Sequence, residues 1–436
     1  MKIKPFRAYR YDDSKVGNAG DCVAPPYDVI DDDQRERLYT KNEYNIVRIS
    51  KSKTFKTDTE RDNQYTRAAG FLNDWLTKGI LKQDSDECIY AYVQDFRITG
   101  KNYQRYSFIA RAKLEDFGRV VRPHEQILNK PKIDRYNLQK ATQAVFGLVF
   151  MLYDDPTNTF EKIAEHKISG KPLVDMIDEQ KVRHRIYSVN ETDDIEQITK
   201  MMRDKSCVIA DGHHRYTTHL LFAEESGNPA HKYQMMAFCN TCHEGLLVLA
   251  THRLVKNIAG FNCQALLGSL ASEFEIEQFG FSAEHEKATS RAAMLKKMKA
   301  EYERDKNAFG IYCGSGKFCV VSLKNKNSMD SVSPDKSKAW RGLDVAVLHK
   351  LILEKYLKID EEKLSGGDFV EYVKDTPEAM DRSIEQVDNG QIQAAFFMNP
   401  PKIEQINAVA EAGERMPQKS TYFFPKVFTG LTIDKL

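Results

Sequence analysis

Long apolar runs are missing from this 436-residue sequence. No window approaches the roughly 18 consecutive apolar residues of a membrane-spanning helix, so no membrane span or membrane partner is expected. The opening residues, MKIKPFRAYRYDDSK, hold no apolar stretch of signal-peptide length, and a cytoplasmic protein is expected. A surplus of one charge is missing too: 64 Lys plus Arg face 63 Asp plus Glu. A protein that coats a polyanion shows a basic excess, so DNA binding is not expected, while a local basic pocket for one nucleotide stays compatible. There is no internal repeat and no low-complexity tract. The eight cysteines form no regular framework, and several sit inside apolar runs such as Cys207-Val208-Ile209 and Phe318-Cys319-Val320. They read as reduced, metal-free core residues.

What is present is an ordinary globular composition, long enough to bury a core without staples. Domains of about 100–200 residues imply two or three lobes. The boundaries expected are 1–120 for an N-terminal α+β lobe, 121–257 for a phosphate-binding core and 258–436 for a C-terminal α+β lobe. Alternation predicts a strand at Tyr44 to Ile49. Helical spacing of Ala68, Phe71, Leu72, Trp75 and Leu76 predicts a helix stopped by Gly79. Cys88 to Phe96 and Tyr103 to Ala112 read as a hairpin around Thr99 to Asn102. Further strands are expected at Gly147–Tyr153, Val182–Val189, Cys207–Ala210, Tyr233–Phe238 and Leu246–Thr251. A helix is expected over His214–Glu225, with Leu220, Leu221 and Phe222 on its apolar side. In the last third, Lys287–Tyr302 reads as a charged helix, and Ala308–Cys313 with Lys317–Leu323 as a hairpin. Lys324 to Lys338 reads as a surface loop, Val345–Tyr356 as an amphipathic helix, Ile392–Met398 as a strand and Ile403–Ala412 as a helix. Strands mixed with helices point to a mixed α/β (α+β) fold.

The segment with most chemistry is Asp211-Gly212-His213-His214-Arg215. An apolar strand, Cys207 to Ala210, feeds a glycine turn and then a helix. A helix start exposes unpaired N–H groups and a positive dipole end, which suits an anion. Gly212 allows close backbone approach. Arg215 adds a permanent fork of donors for phosphate oxygens, and the two histidines add hydrogen bonds. Asp211 suits a helix cap or a carboxylate for a metal-bound phosphate. The bland alternative is a capped helix with two surface histidines.

A second charged stretch runs from Arg122-Pro123-His124-Glu125 to Lys130-Pro131-Lys132-Ile133-Asp134-Arg135. It reads either as a solvated loop or as the source of a general base, His124 or Glu125. The tail Met416 to Lys426 brackets Lys419, Ser420 and Thr421 between prolines; it reads as a packed tail or as a segment that closes over a ligand. Cys239-Asn240-Thr241-Cys242-His243 has the spacing of a haem attachment, but lacks an export signal for haem and a second ligand pair for zinc. Gly314-Ser315-Gly316-Lys317 lacks the first glycine and the hydroxyl of a Walker loop, so a hairpin turn is expected.

These landmarks also stand in a recognisable order: Ala24-Pro25-Pro26-Tyr27-Asp28-Val29, His124-Glu125, Lys130-Pro131-Lys132, Ala210 to Tyr216, Thr251-His252-Arg253, Leu343-Asp344-Val345 and the Met416 to Lys426 tail. In this the chain resembles a bacterial and archaeal family known as domain of unknown function 1015. Its Asp-Gly-His-His-Arg turn looks like the phosphate-binding turn of the ParB/sulfiredoxin superfamily, whose free serine kinases carry a similar form. The resemblance implies a ParB/sulfiredoxin-like core with additional α+β lobes. It further implies a nucleotide-dependent phosphotransferase acting on a small hydroxyl compound such as serine, using ATP or ADP, with CTP as an alternative, and Mg²⁺. The phosphate ligands would be Asp211, Gly212, His213, His214 and Arg215. Lys130, Lys132, Arg135, His252, Arg253, Lys419, Ser420 and Thr421 are further nucleotide-binding candidates. Asp211 or Glu125 would share the Mg²⁺ with the phosphates, and Glu125 or His124 would act on the acceptor hydroxyl. The alternative is a ParB-like nucleotide-binding or hydrolysing regulatory protein without an acceptor. A sulfiredoxin-like redox enzyme would need a reactive cysteine beside the turn, where this chain has His213.

Overall fold

The structure is a computed structural model. It describes every residue except 126–128 and 377, and the side chains of 129–132 and 365 also lie outside the description. The chain forms two compact units. The first comprises Met1–Pro123, Ile127–Leu247 and Pro425–Leu436; the second comprises His124–Gln126 and Val248–Phe424. The fold class is mixed α/β, as the sequence pattern predicts.

Among the described residues, the main sheet of the first unit has nine strands: β1 (Ile3–Lys4), β2 (Ile89–Ile98), β3 (Lys101–Lys113), β4 (Val121–Pro123), β5 (Val149–Tyr153), β6 (Val174–Ile177), β7 (Arg183–Val189), β8 (Cys207–Asp211) and β9 (Tyr233–Asn240). Their order is β4-β8-β5-β9-β3-β2-β7-β6, with β1 beside β3. β2 and β3 are the predicted hairpin, closed by the shorter turn Thr99-Gly100. The central strands are buried almost continuously and not on alternate residues, because both faces are covered. Phe108, Met151, Tyr216 and Phe238 belong to that core. Two helices matter for the site: α1 (Asn129–Thr142) and α2 (His213–Ser226), which pack on each other.

The second unit carries a six-stranded sheet. Its strands are β10 (Thr251–Val255), β11 (Phe274–Gly280), β12 (Ala308–Tyr312), β13 (Lys317–Leu323), β14 (Val370–Lys374) and β15 (Ala394–Phe397), in the order β11-β13-β12-β15-β10-β14. The charged helix α3 (Glu284–Glu303) places Met294 and Met298 into the core against this sheet. The Gly314-Ser315-Gly316 segment is the hairpin turn between β12 and β13.

Three local expectations change. Tyr44 to Ile49 is not a strand; Val47–Ser50 is a short helix. The Asn45 side chain accepts from the Val47 N–H and donates to the carbonyls of Asp21 and Val23, so local capping and tertiary bonds displace the extended form. The Val345 to Tyr356 stretch is buried nearly all round and becomes π-helical over Leu348–Glu354, so it is not an amphipathic surface helix. The buried side of α2 is His213, Tyr216, Thr218, His219, Phe222 and Ala223; Leu220, partly buried, packs against the core as expected, and Leu221 is only partly covered. In addition, the expected loop Lys324 to Lys338 contains a short helix at Ser328–Val332.

Candidate functional site

β8 lies between β4, which is parallel to it, and β5, which is antiparallel. Its register against β5 shifts between Ile209 and Asp211. Such an irregularity turns a side chain to a new direction, and these features gather near functional sites. Gly212 follows with φ 92°, a left-handed conformation that carries the chain directly into α2. A Cβ at this position would stand 2.9 Å from Arg215 Nε and 3.1 Å from its Cζ, so the guanidinium folds back over the glycine. The first turn of α2 is anchored from below by Tyr216, whose hydroxyl accepts from Glu115 N at 3.0 Å and donates to Glu115 O at 2.6 Å.

Asp211 collects two cations. Arg215 Nη2 donates to Oδ1 at 2.9 Å, and Lys426 Nζ donates to Oδ2 at 2.5 Å. All three side chains are mostly buried. Burial by itself raises the Asp211 carboxyl, but the charges of Lys426, then Arg215, then His213 override it and hold the group well below the usual carboxylate range. Lys426 is itself held in the first unit by its chain neighbours: Pro425 O accepts from Arg105 at 2.6 Å and Lys426 O accepts from Gln94 at 3.0 Å. Thr429 pairs with Ala24 in both directions, which docks the tail against the Ala24-Pro25-Pro26-Tyr27 loop.

Beside Arg215 lies a small cavity of about 60 Å³, with Tyr27, Arg135, Gly147, Gln234 and Thr429 in its wall. That space suits a few waters or one small anionic group and not a nucleoside. A Cβ at Gly147 would come within 3.2 Å of Arg215 Nη1, so glycine there leaves room for the guanidinium. Arg135 lies over the Tyr27 ring at 4.0 Å, donates to Ser50 O at 2.7 Å and pairs with Asp134 at 2.5 Å. Among the described residues, Arg215 Nε and Gln234 Oε1 are buried without a hydrogen-bond partner.

Asp211, Gly212, His213, His214, Arg215 and Arg135 are thus gathered in the first unit. His213 is buried and His214 half-buried in the opening turn of α2. The side chains of Lys130 and Lys132 lie outside the described residues. The second unit gathers the other candidates. Glu125 Oε1 accepts from Lys419 N at 3.1 Å, and His124 Nε2 meets Thr421 Oγ1 at 2.8 Å. Met416 N donates to His124 O at 2.8 Å, so the tail runs alongside this pair as a bridge. The buried Ser420 hydroxyl donates to Pro417 O. His252 accepts from Met398 N at 3.2 Å through Nδ1 and faces Asp375 at 3.3 Å through Nε2. Arg253 donates to Lys419 O at 3.0 Å.

Two further points concern cofactors. Mg²⁺ fits poorly on Asp211, because a cation already matches each carboxylate oxygen and both would repel a metal ion. Among the described residues there is no cluster of three His, Cys, Asp or Glu arranged for a metal. Cys207 is buried on β8 and burial pushes its thiol up to about 12, so it is no reactive neighbour of the turn. No helix among the described residues is long and apolar enough to cross a membrane.

Sequence reading missed Lys426 as the second partner of Asp211. Its signal was its place at the end of the Met416 to Lys426 landmark, where attention fell on Lys419 to Thr421. It also missed Gly147 and the cavity that Arg135 and Arg215 share.

A family model described as "Protein of unknown function (DUF1015)" matches residues 3–346. No curated protein matches the chain. Among solved structures, a free serine kinase in complex with AMP is similar at 14% identity and TM-score 0.33, covering 70% of this chain and 83% of the other. A conserved hypothetical protein from Pyrococcus furiosus is similar at 16% identity and TM-score 0.31, over 70% and 88% of the two chains. C-terminally truncated SbnI from Staphylococcus aureus is similar at 9% identity and TM-score 0.34, over 75% and 87%.

Proposed function

The chain belongs to the DUF1015 family, whose description assigns no activity, so its function is read from its own residues: we propose a nucleotide-dependent phosphotransferase that acts on a small hydroxyl compound, with free serine the first acceptor to test. One observation carries the reading. Arg215 and Lys426 bring two charges to a single buried carboxylate at the start of a 14-residue helix. The helix end adds its own partial positive charge. Beside this turn lie a small cavity against Arg215 and, at Arg215 Nε, a buried donor with no hydrogen-bond partner among the described residues. A phosphate group on ATP, ADP or CTP would supply acceptor oxygens for that donor and negative charge for the helix start.

Phosphoryl transfer depends on positioning and charge neutralisation more than on covalent chemistry by the protein. In this proposal the Asp211 to Arg215 turn holds the nucleotide phosphates. Glu125 or His124 orients or deprotonates the acceptor hydroxyl. The test is incubation of the full chain with L-serine, Mg²⁺ and each of ATP, ADP and CTP, followed by phosphorus NMR. Phosphoserine formed with one nucleotide supports the proposal. Nucleotide binding or hydrolysis with no phosphorylated acceptor, across serine and a panel of small alcohols, overturns it and leaves a nucleotide-binding protein without an acceptor.

A further inference from the structure

The second unit contains a cavity of about 540 Å³, which lies within the roughly 300–1,000 Å³ of small-molecule sites. Its wall is drawn from β10, the end of α3, the Lys326 to Asp330 and Lys338 to Val345 segments, and the stretch after β15. The charges on that wall do not cancel. Three of its cations are taken by carboxylates: Lys402 by Asp305, Arg341 by Asp330 at 3.0 Å and Lys306 by Glu301 at 3.5 Å. Arg253, Lys326 and Lys338 have no carboxylate within ion-pair distance among the described residues.

Arg253 is the anchor. It is 1% exposed. Its donors meet the backbone carbonyls of Thr251, Gln418 and Lys419, and Nε faces His349 Nε2 at 3.4 Å. Carbonyl groups satisfy its hydrogen bonds without cancelling its charge. A guanidinium kept charged, out of water and without an anion is costly, and the cost falls when an anionic ligand arrives. Lys326 and Lys338 stand exposed on the rim. The cavity wall also carries a carboxyl that no cation reaches within ion-pair distance among the described residues, although the charges of Lys402 and Lys326 act on it. Asp344 accepts from Asn307 Nδ2 at 2.7 Å, and burial raises it to about 7 against the bonds from Asn307 and Asn399. Such a group exchanges hydrogen bonds with a hydroxyl in either protonation state.

We propose that this cavity binds a small hydroxylated phosphomonoester, its phosphate on Arg253, Lys326 and Lys338 and a hydroxyl on Asp344. Three cations that form no ion pair among the described residues match the charge of about −1.5 to −2 that a phosphomonoester carries at neutral pH better than they match a monocarboxylate. None of the residues of the Asp211 to Arg215 turn takes part, so this site goes beyond the proposed phosphotransferase reading.

Calorimetric titration of the full chain at fixed ionic strength tests it, with glycerol 3-phosphate, inorganic phosphate and glycerol as probes. Glycerol 3-phosphate is expected to bind most tightly, and glycerol not at all. Replacing both rim lysines, Lys326→Ala with Lys338→Ala, removes no buried group and should weaken glycerol 3-phosphate binding at least about tenfold. Asp344→Asn should remove the advantage of glycerol 3-phosphate over inorganic phosphate. In Arg215→Ala, which removes any phosphate bound at the other unit's turn, glycerol 3-phosphate should still bind saturably and the double lysine substitution should still weaken it. The site is overturned by absence of saturable binding, by equal binding in the double lysine variant, or by loss of binding in Arg215→Ala. Equal affinity of the wild type for glycerol 3-phosphate and inorganic phosphate overturns the Asp344 contact.

Discussion

Asp211→Asn keeps the shape of the side chain and deletes its charge. In the folded chain Arg215 and Lys426 take one carboxylate oxygen each, at 2.9 and 2.5 Å. The three side chains are only 11–14% exposed. The substitution therefore leaves two largely buried cations facing an amide. Removing one partner of a fully buried pair costs about 3–5 kcal/mol. The cluster retains some solvent contact, which moves the expected loss to about 2–4 kcal/mol. Urea denaturation at neutral pH and low salt measures it. Phosphate should act as the missing anion, so the deficit should shrink when chloride is replaced by phosphate at constant ionic strength, and shrink more in the variant than in the wild type. The pH dependence has a definite sign. The folded carboxyl lies below its unfolded value, so its contribution is complete above about pH 4 and is lost as pH falls further. The variant should lack that component of acid sensitivity. A variant as stable as the wild type at neutral pH, with the same acid profile, refutes the reasoning.

Three other outcomes are expected. Glu125→Gln should spare nucleotide binding and lower phosphoryl transfer at least about a hundredfold, whereas an exposed ion pair would leave turnover unchanged; near-normal turnover removes Glu125 from catalysis. Gly212→Ala places a Cβ at positive φ and 2.9 Å from Arg215 Nε, so it should cost about 1–2 kcal/mol in thermal unfolding and blunt the nucleotide response; unchanged stability and response contradict the close packing. Elemental analysis of the purified protein should show no stoichiometric zinc or iron, and one zinc per chain lost in Cys239→Ser would overturn that.

The strand, glycine turn and helix at Cys207 to Ser226 were legible because each signal is local: an apolar run, a residue that tolerates positive φ, and a helical periodicity. The hairpin of β2 and β3 was legible for the same reason. Lys426 was not, since it reaches Asp211 from 215 positions away in sequence, and nothing in the spacing of the tail ties it to the turn. The shared wall of Arg135 and Arg215 depends on α1 packing on α2, which composition does not reveal. Tyr44 to Ile49 alternates like a strand, yet three hydrogen bonds of one side chain, Asn45, make it turn. Val345 to Leu353 shows the opposite failure. Its apolar residues run almost unbroken, which marks a helix buried on all sides, and a single apolar stripe was the wrong template for it.

The most direct test of the phosphate-binding turn is calorimetric titration of ATP, ADP and CTP into the wild type and into Arg215→Ala. Lys426 still pairs with Asp211 in that variant, so the fold should hold, as circular dichroism would register. The account predicts saturable binding of at least one nucleotide to the wild type and its loss in Arg215→Ala. Equal affinity of the two proteins for every nucleotide that binds would contradict it.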